Sequence, residues 1–151
     1  MGYCTAADVR AMLRDETVIA LLSDEYIEDA AQREARILPL IETAIRDADG
    51  EVDGYLAKRY AVPLSNPPAV IVGYAKDIAL YRLFGRIGID EQGRDKTYLT
   101  RYKYAVDFLR LVAEGKVELG VSTGADTAAP AGGMHIRSAP RVFSRRSLRG
   151  M

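Results

Sequence analysis

The ten residues from Arg59 to Pro68, RYAVPLSNPP, hold three of the chain's six prolines, and no continuous helix can run through them. Each proline lacks the amide donor and pushes the residue before it toward extended backbone. Apolar residues recur at helical spacing on both sides of this break. Before it, Ile41, Ala44, Ile45, Ala48, Val52, Tyr55 and Leu56 return every three or four residues, which predicts an amphipathic helix from Pro39, taken as part of the first turn, to about residue 60. After it, residues 69–86 (AVIVGYAKDIALYRLFGR) are apolar on most sides. That pattern predicts a central or sandwiched helix, capped by Asn66, with prolines tolerated in its first turn. Val72, Ala75, Ile78, Ala79 and Leu83 can face the core, while Tyr74, Asp77 and Tyr81 share a second face. Two helices joined by a preset corner are therefore the frame of the fold.

The flanking segments add to this frame. Thr5 can cap a short helix, with Asp8 as its capping-box partner and Val9, Met12 and Leu13 on one side. A second short helix is predicted at 16–23 from Val18, Ile19, Leu21 and Leu22. Residues 24–36 are charged, with only Tyr26 and Ile27 to bury, and read as a mobile connection with some helical tendency. Beyond the loop GIDEQGRDK, a third long helix is predicted at about 94–114 on the stripe Tyr98, Arg101/Tyr102, Ala105, Phe108/Leu109 and Val112, ended by Gly115. Val117, Leu119 and Val121 alternate as in a short strand or extended arm. Gly50 and Gly54 lie off the apolar stripe of their helix, where each costs about 1 kcal/mol relative to alanine. Either another helix approaches closely there, or the positions mark a bend or mere tolerance.

The fold class expected is all-α: a small bundle of three long helices with short N-terminal helices, an extended arm and a C-terminal tail. Its length of 151 residues suits one core. Residues 1–121 are expected to form the helical domain. Residues 122–151, rich in Gly, Ala, Pro, Ser and Arg, are expected to be disordered or ordered only by a partner. No apolar run approaches the ~18–20 residues of a membrane span, and the N-terminus lacks the basic and apolar stretches of a secretory signal. A soluble, cytoplasmic chain is the expectation.

Zero formal net charge conceals a gradient. Residues 1–53 hold 13 acidic and 5 basic side chains, residues 54–120 hold 7 and 11, and residues 121–151 hold 1 and 5. Either these are solvated helix faces, or the acidic part of one copy docks on the basic part of the next. In the tail, Arg137, Arg141, Arg145, Arg146 and Arg149 surround Phe143 and Leu148. Partner docking, nonspecific contact with DNA phosphates and simple solubility all account for such a segment, and no recognition-helix pattern accompanies it.

Catalytic chemistry finds little support. With one Cys and one His that do not cluster, the usual zinc spacings are absent. His135 stands in a glycine-rich segment, with nothing to position it as a base. Cys4 is near the terminus. Asp49 and Asp53 share a helix face and can hold a divalent cation, although solvated carboxylates are the commoner reason for such a pair. The glycines at 85, 88 and 93 do not spell a phosphate loop. The expectation is a non-enzyme with no cofactor or metal.

The motifs themselves carry a family likeness. Asp53, Gly54, Tyr55, Leu56, Arg59, Tyr60, Pro63 and Leu64 match a D-G/x-Y-L-x-x-R-Y-x-x-P-L pattern, and Ala75, Asp77, Ile78, Ala79, Tyr81, Arg82 and Leu83 match A-x-D-I-A-x-Y-R-L. Glu114, Gly115, Leu119 and Gly120 then match an E-G-x-x-x-L-G ending, and PRVFSRRSL the tail. In this order and spacing the chain resembles the Mu-like phage connector family, a group related to the head-tail connectors of long-tailed phages. The resemblance covers residues 3–121 and the tail; the charged stretch 24–36 departs from it.

The resemblance implies a structural subunit that forms a ring below the portal and continues the DNA channel, with DNA contact nonspecific. Its implied partners are further copies of itself, the portal, and neck or tail-completion proteins. Its implied location is the host cytoplasm during assembly, then the virion neck. A small helical DNA-packaging adaptor or nucleic-acid-binding protein is the alternative. The candidate subunit interface is Tyr55, Arg59, Tyr60, Pro63, Leu64, Tyr74, Asp77 and Tyr81, with either core packing or interface burial accounting for the tyrosines. Arg59 and Asp77 can pair within the fold or across subunits. Arg137, Arg141, Phe143, Arg145, Arg146, Leu148 and Arg149 are the candidate docking tail.

Overall fold

A computed structural model describes residues 2–22, 27–88 and 96–121. Its regular structure is helical: α1 (Ala6–Ala11), α2 (Asp15–Leu21), α3 (Ala30–Leu56), α4 (Ala69–Phe84) and α5 (Lys96–Ala113). The three long helices and two short ones match the bundle expected from the sequence. The C-terminal segment 122–151 lies outside the described residues.

α4 is the centre of the bundle. Ile71, Ala75, Ile78, Ala79, Leu80, Leu83 and Phe84 are all buried, and at 100° per residue they cover about two thirds of the circumference, with half-buried Tyr74 and Tyr81 on the remaining side, so most of the helix needs a neighbour. Ile71, rather than the expected Val72, takes the first core position, and Val72 is half-buried. α3 contributes Ile37, Ile41, Ala44, Ile45, Ala48, Val52 and Leu56, and α5 adds Ala105, Leu109 and Val112.

The packing makes three layers. On α3, Asp49 and Asp53 face the N-terminal segment, where they meet Tyr3, while Glu51 meets Tyr102 of α5. On α4, Lys76 pairs with Asp8 of α1 at 3.3 Å, whereas Tyr74 and Tyr81 meet Phe108 and Tyr102 of α5. Residues two apart on a helix point roughly 160° apart. The α1–α2 segment and α5 therefore cover opposite sides of the α3–α4 pair.

Three details correct the sequence reading. α3 begins at Ala30, nine residues before Pro39, so Pro39 lies inside the helix and residues 30–36 are helical rather than a connection. Asp29 caps this earlier start by accepting from Ala31 N at 3.0 Å. Fully buried Ile37 anchors it, and Arg10 of α1 donates from Nε to Glu34 at 2.8 Å. Tertiary contacts thus override the breaker. α4 is preceded by Pro68 rather than capped by Asn66; the Pro68 carbonyl accepts from Ile71 N and Val72 N at 2.9 and 3.2 Å. Finally, the buried members of α1 and α2 are Val9, Val18 and Leu21, whereas Met12 and Ile19 are 36% and 47% exposed.

The expected N-terminal cap of the first helix is present. Thr5 and Asp8 form the reciprocal capping box of α1. Among the described residues no strand forms, and Val117, Leu119 and Val121 belong to an irregular arm packed against the core. No helix of the described residues is long and apolar enough to cross a membrane.

Gly50 and Gly54 are exposed on α3, and a Cβ built at either finds nothing within 4 Å. No helix among the described residues explains them. Replacing each by alanine should raise stability by about 0.5–1 kcal/mol through helix propensity. Denaturant unfolding of Gly50→Ala and Gly54→Ala measures this, and a loss of stability would show a packing role.

Candidate functional site

The corner after α3 is fastened at three points that the helical pattern does not announce. The first is Tyr3. Its hydroxyl donates to Asp53 Oδ1 and accepts from Leu64 N at 3.2 Å, while its own backbone N–H donates to Asp49 Oδ1 at 3.0 Å. One phenol so joins the N-terminal segment, the last turns of α3 and the proline corner. Burial, reinforced by the bond to Asp53, pushes the Tyr3 phenol up to about 12. Burial also raises Asp49 above the usual carboxylate range, partly offset by the Tyr3 N–H.

The second fastener is Arg59. α5 ends in a pair of tightening bonds, Lys116 N to Leu111 O at 2.9 Å and Gly115 N to Val112 O at 3.0 Å, made possible by the positive φ of 80° at Gly115. The Arg59 guanidinium lies against this end. Its Nη1 reaches the Val112 carbonyl at 3.5 Å, and a Cβ at Gly115 would come within 3.2 Å of it. A cation at the carbonyl end of a helix is favourably placed. Its Nη2 also stands 3.8 Å from Glu118 of the arm.

The third is Tyr60, buried, whose hydroxyl accepts from Leu119 N at 3.1 Å and ties the arm to the corner. Between these contacts the Val62–Pro63 peptide is cis, Pro63 is exposed, and Tyr55 and Leu64 pack half-buried against the core. An open groove lined by Ala61, Leu64, Ser65, Asn66, Gly120 and Val121 runs beside it.

Tyr74, Asp77 and Tyr81 form a separate group, facing α5. Tyr81 stacks on Tyr102 with centroids 4.0 Å apart, Tyr74 meets Phe108 at 4.9 Å, and Phe84 stacks on Tyr98 at 4.0 Å. Asp77 pairs with Arg101 of the same chain; burial nevertheless raises its carboxyl above the ordinary range, against the pull of that cation. Glu51 bridges all three long helices, accepting from Arg82 at 2.7 Å and from the Tyr102 hydroxyl at 2.9 Å.

The structure thus brings Tyr55, Arg59, Tyr60, Pro63 and Leu64 together at one end, and occupies Tyr74, Asp77 and Tyr81 within the chain. Arg59 and Asp77 do not pair with each other; each has its own partner. Asp49 and Asp53, considered for a cation, are both engaged by Tyr3. Among the described residues no group of three or more Cys, His, Asp or Glu side chains is placed to hold a metal. Cys4 is buried and its thiol is pushed up to about 11, by burial first and then by Asp49 and Asp8, so it is not an activated nucleophile. Arg137, Arg141, Phe143, Arg145, Arg146, Leu148 and Arg149, with His135, lie outside the described residues.

Sequence reasoning missed Tyr3 and Glu51. The available signal for Tyr3 was an aromatic residue just ahead of a capped helix; Glu51 gave none.

With this architecture in view, the likeness seen in the motifs becomes a relationship. The family model for Bacteriophage Mu, Gp36 matches residues 3–138, and the chain belongs to that family of phage proteins. The Mu-like prophage FluMu protein gp36 of Haemophilus influenzae is 32% identical over 110 residues, covering 73% of this chain and 74% of the relative. Gene product J of Escherichia phage Mu is 28% identical over 148 residues, covering 97% and 96%.

Two outcomes follow for the corner. Tyr3→Phe leaves the Leu64 N–H and the Asp53 carboxylate without their partner and should cost about 1–3 kcal/mol. Since the folded phenol titrates above the unfolded one, its contribution is full below pH 10 and is lost as pH rises through about 12. The variant should therefore lose less stability than the parent across that window in pH-dependent denaturant melts. Tyr60→Phe should speed hydrogen exchange of the Leu119 amide while sparing α4; unchanged exchange would remove Tyr60 as the arm's anchor.

Proposed function

We propose that this chain is a structural head-tail connector subunit, assembling as a ring below the portal and continuing the DNA channel. Membership of the Mu Gp36 family carries this reading, supported by the connector-like run from Asp53 to Leu83. In this role the chain performs no chemistry of its own. Its work is to present fixed surfaces to further copies of itself, to the portal, and to neck or tail-completion proteins, first in the host cytoplasm and then in the virion neck.

Ring formation asks for two different patches on each copy, held at a constant angle. The charge gradient along the sequence is one source of such patches. DNA passing through the ring would be contacted without sequence preference, through its phosphates.

The full-length protein at high concentration, examined by light scattering and negative-stain imaging, should form closed rings, and it should copurify with a portal ring. A chain that remains strictly monomeric both alone and with the portal would end this reading.

A further inference from the structure

The groove beside the proline corner has two walls, and the second is the end of the described chain. Ala61, Leu64, Ser65 and Asn66 line one side; Gly120 and Val121 line the other. Fixed contacts deliver that second wall. Tyr60 accepts from Leu119 N at 3.1 Å, Arg59 stands 3.8 Å from Glu118, and Gly120 turns the chain with a φ of 68°. Consecutive Cα atoms are only ~3.8 Å apart, so the chain beyond Val121 sets out from the groove itself.

The lining offers main chain more than side chain. Leu64 N is taken by the Tyr3 hydroxyl, but among the described residues the backbone amides of Ala61, Ser65, Asn66, Gly120 and Val121 make no hydrogen bond. A segment that pairs with such a site must bring its own backbone close, which calls for small side chains. Residues 122–129, STGADTAA, carry nothing larger than threonine and aspartate, and large apolar side chains return only at Met134 and Ile136. The family match also continues past the described chain to residue 138. The residues that follow Val121 therefore belong to the unit shared with the family, whereas 139–151 lie beyond it.

We propose that residues 122–129 of the same chain lie along this groove, pairing through their backbone with the main chain around Ser65 and Asn66. Connection and size together name the occupant: the segment starts at the groove, and its side chains are small enough to let two backbones meet. A tethered segment also reaches the site at a far higher effective concentration than a free one. The arm thereby continues as a strap over the corner, and the groove is a seat for the chain's own continuation. The strap does not depend on ring assembly.

Hydrogen exchange of the full-length protein, read by mass spectrometry, tests this. Once corrected for sequence, the amides of residues 122–129 should exchange about tenfold more slowly than those of 139–151. That protection should be the same across a wide range of protein concentration. Ser65→Trp, at an exposed position, fills the groove and should abolish the protection while exchange in α3, α4 and α5 stays unchanged; Asn66→Trp is read in the same way should the first variant fail to fold. Residues 122–129 that exchange as freely as 139–151 in the parent would overturn the strap. So would protection that persists in a folded, groove-filled variant, which would put the segment elsewhere. Protection that appears only as concentration rises would also overturn it, and would make the occupant the corresponding segment of a second copy.

Discussion

A helix that is apolar around most of its circumference can leave little of it uncovered, and α4 imposes that condition on the rest of the chain. Burying Ile71, Ile78, Leu80, Leu83 and Phe84 at once requires cover from several directions. α3 supplies one wall, α1 another and α5 the third. The order of helices in the chain then follows from the corner, which returns the chain beside α3, and from the aromatic contacts that lay α5 back along α4. Tyr74, Tyr81 and Phe84 meet Phe108, Tyr102 and Tyr98 in reverse order, so the two helices run antiparallel.

Those elements whose placement depends on hydrophobic period were legible in the sequence. The stripes of α3 after Pro39 and of α5 point to the residues that are buried, and Thr5 with Asp8 announces α1. The reading failed where one local rule met a tertiary contact. Proline is common in the first turn of a helix, so Pro39 was taken as a start; Asp29, Ile37 and the Arg10–Glu34 pair carry the helix back to Ala30. Asn66 is a good capping residue, but two prolines follow it and the second already sits at the helix boundary. The corner's fasteners were out of reach for another reason. Tyr3 is 50 residues from Asp53 and 61 from Leu64, and a polar contact between distant residues leaves no periodic trace.

The aromatic face of α4 shows a related ambiguity. Tyrosines at three- and four-residue spacing mark a face that is partly buried and partly polar, and both an internal helix contact and a subunit contact fit that description. α5 resolves where their rings and Asp77 are placed within the chain. The large apolar side chains left exposed among the described residues are instead scattered over several elements, Ile19 on α2, Leu38 on α3, Val70 on α4 and Leu111 on α5 among them, and periodicity treats them as ordinary members of an amphipathic pattern. Ile19 was read with Val18, Leu21 and Leu22 as one short apolar run; only packing separates the member that faces outward.

In the ring proposed for this chain, identical heterologous contacts would close only if each copy turned its neighbour through the same angle, so the two outer layers would have to be held rigidly relative to each other. The stretch from Asp53 to Leu64 does this. Through Tyr3 it holds the N-terminal layer, by Asp53 and the Leu64 amide. Through Arg59 and Tyr60 it holds the end of α5 and the arm. Both outer layers are therefore referenced to one short segment whose own backbone is restricted by proline. In such a ring the corner would matter to assembly through this geometry as well as through any contact of its own: loosening it would spoil the angle between the two layers.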